Sequence, residues 1–315
     1  MKSLSKYFWP VVGLLTITLS AWLLFMELRG LSVEDLADSL GAISFGNWLL
    51  CGLSTILAYA ALAGYDRIAL AHLGKRIDWL FITVCSFTAY ALSHNVGASV
   101  FSGAVVRYRA YTSRGLTPTE VGILVTFCSF TFVLGTIFLA GLVLVFRPDV
   151  AERFVDILPG GFSASLGYLF LALVGLYIVG SRLGFKPLKI GFLQIPYPKP
   201  GIVARQLVIG PLELISAATI IYFALPAAGN PGFVVVLGIF LVSFSAALIS
   251  HAPGGLGVLE LVFLTGLSDM PAADVLAALL VFRLFYLLIP FVMALFVILL
   301  FELREWRKRR HGSGA

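Results

Sequence analysis

The chain has 315 residues, of which 60% are hydrophobic and only 12% are charged, and its mean hydropathy is +1.00. A soluble protein of this length needs far more polar surface, so the composition excludes a soluble enzyme and indicates an integral membrane protein. The net charge of +6 does not indicate nucleic-acid binding, because the cations lie in short segments between apolar spans.

Apolar segments long enough to cross a membrane recur along the chain, which predicts an all-α, polytopic fold. The predicted spans are 8–28, 45–70, 119–146, 163–182, 206–226 and 274–301. The first has no signal-peptidase site and is interpreted as an uncleaved helix. After it, residues 32–40 are predicted to form a short surface helix capped by Ser32, with Glu34 and Asp35 in its first turn.

Two further apolar regions, 79–112 and 232–267, are each interrupted by the phrase Ser-His-x-x-Gly, which begins at Ser93 and again at Ser250. Such interruptions at membrane depth must be buried in protein or line water, so both are expected to face an internal cavity. Their residues end helices or permit unusual backbone angles. These residues are His94, Asn95 and Gly97 in the first break, and His251, Pro253, Gly254, Gly255 and Gly257 in the second. Chance likeness between two unrelated breaks, and tight helix packing, are the alternatives.

The charges of the loops predict how the chain is threaded through the membrane, because cation-rich loops stay in the cytoplasm. Cations are concentrated at the N-terminus, after residue 70, at 107–114, at 182–205 and in the C-terminal tail. All of these fall on one face only if 79–112 and 232–267 are re-entrant hairpins, the first entering from the cytoplasm and the second from outside. Both termini are then cytoplasmic.

This threading makes 45–146 and 206–301 inverted repeats within a single transmembrane domain, 1–315. Inverted repeats with interrupted helices are typical of alternating-access transporters.

Charged side chains inside apolar spans cost free energy and are therefore candidates for substrate binding. They are Asp66, Arg107, Arg109, Glu213, Glu260 and Arg283. Asp66 and Arg107 both lie toward the cytoplasmic side and are placed to pair. Glu213 and Arg283 lie roughly 12 and 13 Å from opposite faces, so a second pair is expected near the midplane. Ion pairs that only fix helix register are the alternative.

Acids and arginines together fit a substrate that carries a phosphate and an ammonium group. No cofactor is expected. The two histidines lack clustered Cys, Asp or Glu at ligand spacing, so no metal is expected, and a histidine bonded to a free carbonyl at a helix end is the simpler interpretation. There is no G-x-S-x-G motif of a serine hydrolase.

Three stretches carry a family resemblance: Ser-His-Asn-Val-Gly at 93–97, Gly-Ala-Val-Val-Arg-Tyr-Arg at 103–109, and His-Ala-Pro-Gly-Gly-Leu-Gly-Val-Leu-Glu at 251–260. Together they resemble the transmembrane, flippase-like region of bacterial lysylphosphatidylglycerol synthases (multiple peptide resistance factors) and its stand-alone relatives. The resemblance covers nearly the whole chain.

The resemblance implies a multi-pass protein of the bacterial inner membrane that moves aminoacylated phosphatidylglycerol between leaflets. In such families the outward lipid lowers the negative surface charge and gives resistance to cationic peptides. The resemblance favours Asp66, Arg107 and Glu213 as site residues. The full-length synthases carry a soluble aminoacyl-transferase domain after the membrane region, and this chain ends at Ala315, so no synthase activity is expected.

Other functions stay open beside this one. The chain fits a transporter of another lipid, such as a hopanoid, a polyprenyl carrier or a glycolipid, or a membrane partner subunit without transport of its own. A headgroup-modifying enzyme would need a nucleophile or metal cluster that is not found in the sequence. The expected partners are a phospholipid substrate and the bilayer, without nucleic acid; a homo-oligomer and a separate lipid-modifying enzyme are left open.

Overall fold

The computed structural model describes residues 32–96, 99–154, 160–184, 188–190, 193–195, 197–250 and 253–312. The helices are α1 (Val33–Ala42), α2 (Phe45–His72), α3 (Trp79–Val96), α4 (Ser99–Thr112), α5 (Pro118–Phe146), α6 (Asp149–Glu152), α7 (Gly160–Leu183), α8 (Pro200–Ala224), α9 (Phe233–Ser250), α10 (Val258–Gly266), α11 (Ala272–Phe282) and α12 (Ile289–Gly312). A 3-10 turn (Pro253–Gly255) precedes α10, and a π-helical segment (Arg283–Leu288) joins α11 to α12. The predicted all-α class is confirmed.

The non-helical elements of the described residues are two short strands between α7 and α8. β1 (Leu188–Ile190) pairs antiparallel with β2 (Leu193–Ile195), with Leu188 opposite Ile195. They lie in a cation-rich loop.

Six helices of the described part are long and apolar enough to cross a membrane: 45–72, 118–146, 162–183, 200–224, 233–250 and 272–301. Five of them confirm predicted spans, and the sixth is the first arm of the predicted second hairpin. The predicted span 8–28 lies outside the described residues. The helix predicted from 206 begins at Pro200, because a proline at the first helical position loses no hydrogen bond.

The predicted cap of α1 is confirmed in detail. The Ser32 hydroxyl accepts a hydrogen bond from the Asp35 amide at 3.0 Å, and the Asp35 carboxylate accepts one from the Ser32 amide at 3.1 Å. This reciprocal capping box satisfies two amides that a helix start otherwise leaves unpaired. The backbone bond at Ser32 also lowers the pKa of the Asp35 carboxyl.

Helix α8 lies at the centre of the bundle, where it packs against α2, α5, α9 and α11. Small residues allow the closest approach: a Cβ added at Gly135 of α5 would lie 2.8 Å from the carbonyl carbon of Gly210 in α8. Small residues at a crossing let two helix backbones touch, which is how membrane helices associate without a hydrophobic driving force.

The first interrupted region folds back on itself, with α3 packed against α4. Its two ends lie together: Lys75, before α3, forms an ion pair of 2.8 Å with Glu120, after α4. Glu120 is in the first turn of α5. Both ends of the first hairpin therefore lie beside the N-terminal end of α5.

The second interrupted region also folds back, with α9 packed against α10. Both of its ends lie beside α6: a Cβ at Gly238 would lie 2.8 Å from Val150, and Arg153 donates a hydrogen bond of 3.0 Å to the Gly266 carbonyl. Helix α6 follows the C-terminal end of α5, which is roughly 43 Å long. The two hairpins thus start from opposite ends of α5. Their membrane orientation, and the inverted repeat, stay predictions.

The helix breaks lie where the sequence places them, with one shift. The first was expected to begin at Asn95, but α3 continues to Val96 and α4 resumes at Ser99. Gly97 and His251 lie outside the described residues. In the second break Gly254, Gly255 and Gly257 have φ angles of 59°, 64° and 79°, which other residues adopt only with strain.

Candidate functional site

The two helix breaks meet at the π-helical segment. The Asn95 side-chain amide donates to the Leu287 carbonyl at 3.2 Å, and Arg283 Nη1 donates to the Gly254 carbonyl at 2.9 Å. The carbonyl oxygen of His94 lies 4.0 Å from the position of a Cβ on Gly254. A π-helical turn carries an extra residue and often marks a functional site. Here it holds both breaks against one helix.

The predicted pair of Asp66 and Arg107 is confirmed, and it is buried. Arg107 Nη2 lies 2.8 Å from Asp66 Oδ1, and Arg107 Nε lies 3.1 Å from Asp66 Oδ2. The Tyr111 hydroxyl donates to the same carboxylate at 2.8 Å, and the Cys128 thiol approaches it at 3.5 Å. The guanidinium carbon of Arg107 lies 4.4 Å from the centroid of the Tyr90 ring. This fork geometry is specific to arginine.

Within the described residues, the ion pair uses only one side of the Arg107 guanidinium group. Asp66 is fully buried and accepts hydrogen bonds from Arg107 and Tyr111, so its charge is neutralised inside the bundle. Among the described residues, Arg107 Nη1 has no hydrogen-bond acceptor. Arg107 therefore keeps a donor for another anion, whereas Asp66 is occupied.

The predicted pair of Glu213 and Arg283 is wrong. Arg283 instead binds Glu260, with Nη2 and Nε at 2.5 and 2.7 Å from Oε1. Glu260 also accepts a hydrogen bond of 2.9 Å from the Gly257 amide, at the start of α10. Estimated depth does not fix the direction in which a side chain leaves its helix. The π-helical segment and the fold of the second hairpin bring Arg283 to Glu260.

Glu213 is buried, and no cation pairs with it among the described residues. It is 1% exposed and accepts one hydrogen bond, of 2.5 Å, from the Tyr286 hydroxyl. Its Oε2 atom has no hydrogen-bond partner among the described residues. The ring of His94 stacks on Tyr286 at 5.1 Å between centroids, and its Nδ1 atom also has no partner there. Two unpaired polar atoms in one buried cluster indicate a binding site, since such atoms normally find partners.

These groups line a cavity of about 460 Å³. Its wall contains Leu62, Tyr65, Tyr90, Ser93, His94, Arg107, Val125, Cys128, Ser129, Phe132, Val133, Thr136, Ile137, Glu213, Phe244, Ser245, Leu248 and Ile249. Cavities of this size hold small ligands, with a mostly apolar wall and a few polar groups that fix the orientation of the ligand.

Two of the six charged residues predicted to bind substrate, Arg107 and Glu213, line this cavity, and so does His94 of the first predicted break. Asp66 lies behind Arg107. Arg109 is exposed, with its guanidinium carbon 5.9 Å from the Phe301 ring centroid. Glu260 and Arg283 tie the second break to the π-helical segment.

Three tyrosines of the site were not predicted from the sequence: Tyr65, Tyr90 and Tyr286. A signal existed for one of them. Tyr90 lies four residues before His94 in the same predicted helix, so the two side chains are expected on one helix face. Tyr286 had no such signal, because its direction depends on the π-helical segment.

The cavity opens sideways between α5 and α9. Of its lining residues, Ser129 and Val133 of α5 and Ile249 of α9 are exposed, Val133 to 46% and Ile249 to 71%. Val133 lies at about the middle of α5, which is a candidate membrane span. The opening therefore faces the region where a bilayer has its hydrocarbon core.

Comparisons with known proteins agree with this architecture. The family model described as "Lysylphosphatidylglycerol synthase TM region" matches residues 11–294. An uncharacterised protein of Synechocystis sp., slr0712, is 33% identical over 262 residues, which are 82% of this chain and 81% of that protein. The inner membrane protein YbhN of Escherichia coli is 29% identical over 270 residues, 82% of this chain and 81% of that protein.

Larger enzymes share the same region. The phosphatidylglycerol lysyltransferase of Staphylococcus haemolyticus is 26% identical over 280 residues, which are 86% of this chain but 31% of that enzyme. The match to the family model covers most of the chain and the helices that form the cavity. This chain is a multi-pass membrane protein that belongs to the family of the lysylphosphatidylglycerol synthase transmembrane region.

Proposed function

We propose that this protein is a phospholipid flippase of the bacterial inner membrane, which moves aminoacylated phosphatidylglycerol, such as lysyl-phosphatidylglycerol, or a similar lipid between leaflets. The family and its relatives support a lipid-related membrane function. The observation that carries the finer proposal is the cavity that opens sideways at mid-bundle and contains both Arg107 and Glu213.

The charges of the cavity match such a headgroup. The free side of Arg107 offers a donor to the phosphate, and arginine binds phosphate with good geometry. The unpaired Oε2 atom of Glu213 offers an acceptor to an ammonium group. A lipid that carries both groups would engage the remaining donor of Arg107 and pair the Glu213 Oε2 atom, which is otherwise buried at a cost.

The shape of the cavity separates headgroup from tails. A volume of about 460 Å³ is of the size that holds a small ligand. The opening beside Ser129, Val133 and Ile249 faces the expected hydrocarbon region, so the acyl chains stay in the bilayer while the headgroup enters. The protein then lowers the cost of carrying charge through the membrane core.

The two hairpins supply moving parts. They start from opposite ends of α5 and meet at the π-helical segment through Asn95 and Arg283. Breaking one set of these contacts while keeping the other would open the cavity toward one leaflet at a time, as alternating access requires.

Liposomes test the proposal. The purified protein is reconstituted with lysyl-phosphatidylglycerol, and the amines of the outer leaflet are titrated with a membrane-impermeant amine reagent. We expect the inner-leaflet amines to become accessible in minutes with the protein and to stay protected in protein-free liposomes. The variant Arg107→Met is expected to slow the exchange at least tenfold.

Unchanged protection of the inner leaflet, in liposomes where a known scramblase exposes it, would contradict the proposal. The same assay with labelled glycolipid or polyprenyl lipid separates the alternative substrates. If Arg107→Met alters assembly but no lipid moves in the wild type, the partner-subunit alternative is favoured.

A further inference from the structure

In the part of the chain that the structure describes, the interior of the bundle has one more acid than it has arginines. In the described residues, Asp66, Glu213 and Glu260 are buried or nearly so, as are Arg107 and Arg283. Asp66 forms an ion pair with Arg107, and Glu260 forms one with Arg283. Glu213 is left without a cation, and a buried carboxylate without one is strongly destabilising. Some other positive group must compensate it.

The surroundings of Glu213 supply no further cation apart from what His94 could carry. Four arginines of the elements around it, Arg67, Arg109, Arg182 and Arg205, are exposed. The titratable or charged groups of these elements that are not exposed include Cys51, Tyr59, Tyr65, Asp66 and His72 of α2, Cys85, Tyr90 and His94 of α3, Arg107 and Tyr111 of α4, Glu120 and Cys128 of α5, Tyr177 of α7, Tyr222 of α8, Glu260 of α10, Asp274 in the first turn of α11, and Arg283 and Tyr286 of the π-helical segment. Helix α9 has no titratable side chain. The arginines among them are engaged by Asp66 and Glu260, and Tyr286 donates to Glu213 as a neutral hydroxyl.

We propose that Glu213 binds a proton when no lipid is bound, and that the ammonium group of the lipid displaces this proton. The inference rests on the proposed function and adds its ion coupling. In the lipid-free state the proton is on the carboxyl group, which is neutral. On binding, the proton leaves through the cavity to water, and the carboxylate pairs with the ammonium group. One positive charge replaces another, so the site keeps the same net charge.

Geometry supports Glu213 as the exchange point. Glu213 is a lining residue of the cavity, and its Oε2 atom has no hydrogen-bond partner among the described residues. A proton or an ammonium group that enters the cavity can therefore compete for this one oxygen. The other carboxylate oxygen is fixed by Tyr286, which keeps the carboxylate in place during the exchange. Asp66 and Glu260 cannot serve in the same way, because guanidinium groups occupy them.

The exchange makes lipid transport a proton antiport. One proton moves inward for each singly cationic lipid that moves outward, so a difference of one pH unit shifts the equilibrium lipid ratio about tenfold. The lipid accumulates in the leaflet that faces the acidic side. At pH values at which Glu213 of the lipid-free protein is protonated, the apparent Kd for the lipid rises about tenfold for each unit by which the pH falls.

Proton release on binding tests this directly. The purified full-length chain in detergent is titrated with lysyl-phosphatidylglycerol in weak buffer between about pH 5 and pH 6.5, where both lysyl amines stay protonated. We expect about one proton released per lipid bound. Phosphatidylglycerol, which has the phosphate but no amine, is the matched ligand and is expected to release none.

Three variants locate the proton. Glu213→Gln is expected to abolish proton release and the pH dependence of the Kd. His94→Gln is expected to keep both. Glu120→Gln is the matched control at the surface, because glutamine preserves the capping box at the start of α5. Thermal unfolding verifies that each variant is folded.

Lysyl-phosphatidylglycerol binding without proton release, or release that survives Glu213→Gln and disappears in His94→Gln, overturns the inference. So does the absence of binding. The liposome assay at equal pH on both sides separates the two proposals: lipid movement without proton release overturns the proton exchange alone, whereas the absence of both movement and binding overturns the flippase as well.

Discussion

The Tyr286 hydroxyl donates a hydrogen bond of 2.5 Å to the Glu213 carboxylate, which joins the π-helical segment to the central helix α8. The Tyr286 ring stacks on His94 of the first hairpin, and its carbonyl accepts a hydrogen bond from Tyr59 of α2. Elements from both halves of the chain therefore meet at a single side chain, next to the one buried acid of the described residues that lacks a cation.

Removing this hydroxyl should cost stability. Tyr286→Phe leaves the buried carboxyl group of Glu213 without its hydrogen bond, so we expect the free energy of unfolding to fall by about 1–3 kcal/mol. Tyr222→Phe is the control, because Tyr222 makes aromatic contacts and no hydrogen bond through its hydroxyl among the described residues. Thermal unfolding in detergent measures both; equal midpoints for the two variants would contradict the importance of the bond.

The buried ion pair predicts a non-additive double mutant. Arg107→Met leaves Asp66 charged and buried, which costs about 3–5 kcal/mol. Asp66→Leu combined with Arg107→Met removes both charges and is expected to recover part of that loss. Denaturation midpoints of the two single variants and the double variant give the coupling energy. Strictly additive effects would show that the pair does not act as a unit.

The close packing of α3 against α4 at Gly103 predicts that adding one methyl group there lowers the stability of the protein. A Cβ at Gly103 would lie 2.3 Å from the Ser93 hydroxyl oxygen and 3.2 Å from the Ala89 carbonyl oxygen. Gly103→Ala therefore requires the buried Ser93 side chain to rotate and α3 to shift slightly from α4, which costs about 1–3 kcal/mol. Gly122→Ala in α5 meets nothing within 4 Å and is the matched control, expected to be neutral or stabilising. Comparable melting temperatures for both variants would place α3 and α4 farther apart than described.

The sideways opening predicts that a bulky side chain on its rim blocks transport without unfolding the protein. Val133→Trp narrows the opening, so we expect lysyl-phosphatidylglycerol exchange in liposomes to slow at least tenfold. Phe146→Trp, at the exposed end of the same helix and outside the cavity, is expected to leave exchange unchanged. If Val133→Trp exchanges lipid as fast as the wild type, the lipid enters elsewhere.

The return of each hairpin to its starting end predicts the sidedness of two loops. Single cysteines replace Ser113, after α4, and Asn230, before α9, in a background without the three buried native cysteines. An impermeant thiol reagent is expected to label Asn230→Cys from the outside and Ser113→Cys only from the cytoplasm. Labelling of both from the same face would refute the inverted repeat.

Much of the fold follows from the sequence because its causes are local. Apolar length defines the spans, and Ser32 with Asp35 defines the start of α1. The repeated phrase marked the two regions that fold back on themselves, and their re-entrant course through the membrane stays a prediction. The pairing of Asp66 with Arg107 followed from their shared depth.

The remainder depends on rotation around helix axes, which residue counting does not give. Arg283 and Glu213 have similar depth, yet the π-helical turn directs Arg283 to Glu260 and places Tyr286 against Glu213. No local pattern in the sequence indicates that turn. Arg109 is a second case. It lies two residues after Arg107 and was expected at the site, but a two-residue step points it to another side of the helix, where it is exposed.

A structure of the protein in nanodiscs that contain lysyl-phosphatidylglycerol tests the central claim most directly. The account predicts headgroup density in the cavity, with the phosphate at Arg107, the amine at Glu213, and acyl chains leaving between α5 and α9. A cavity without headgroup density at saturating lipid, or lipid bound only on the outer surface of the bundle, would contradict it.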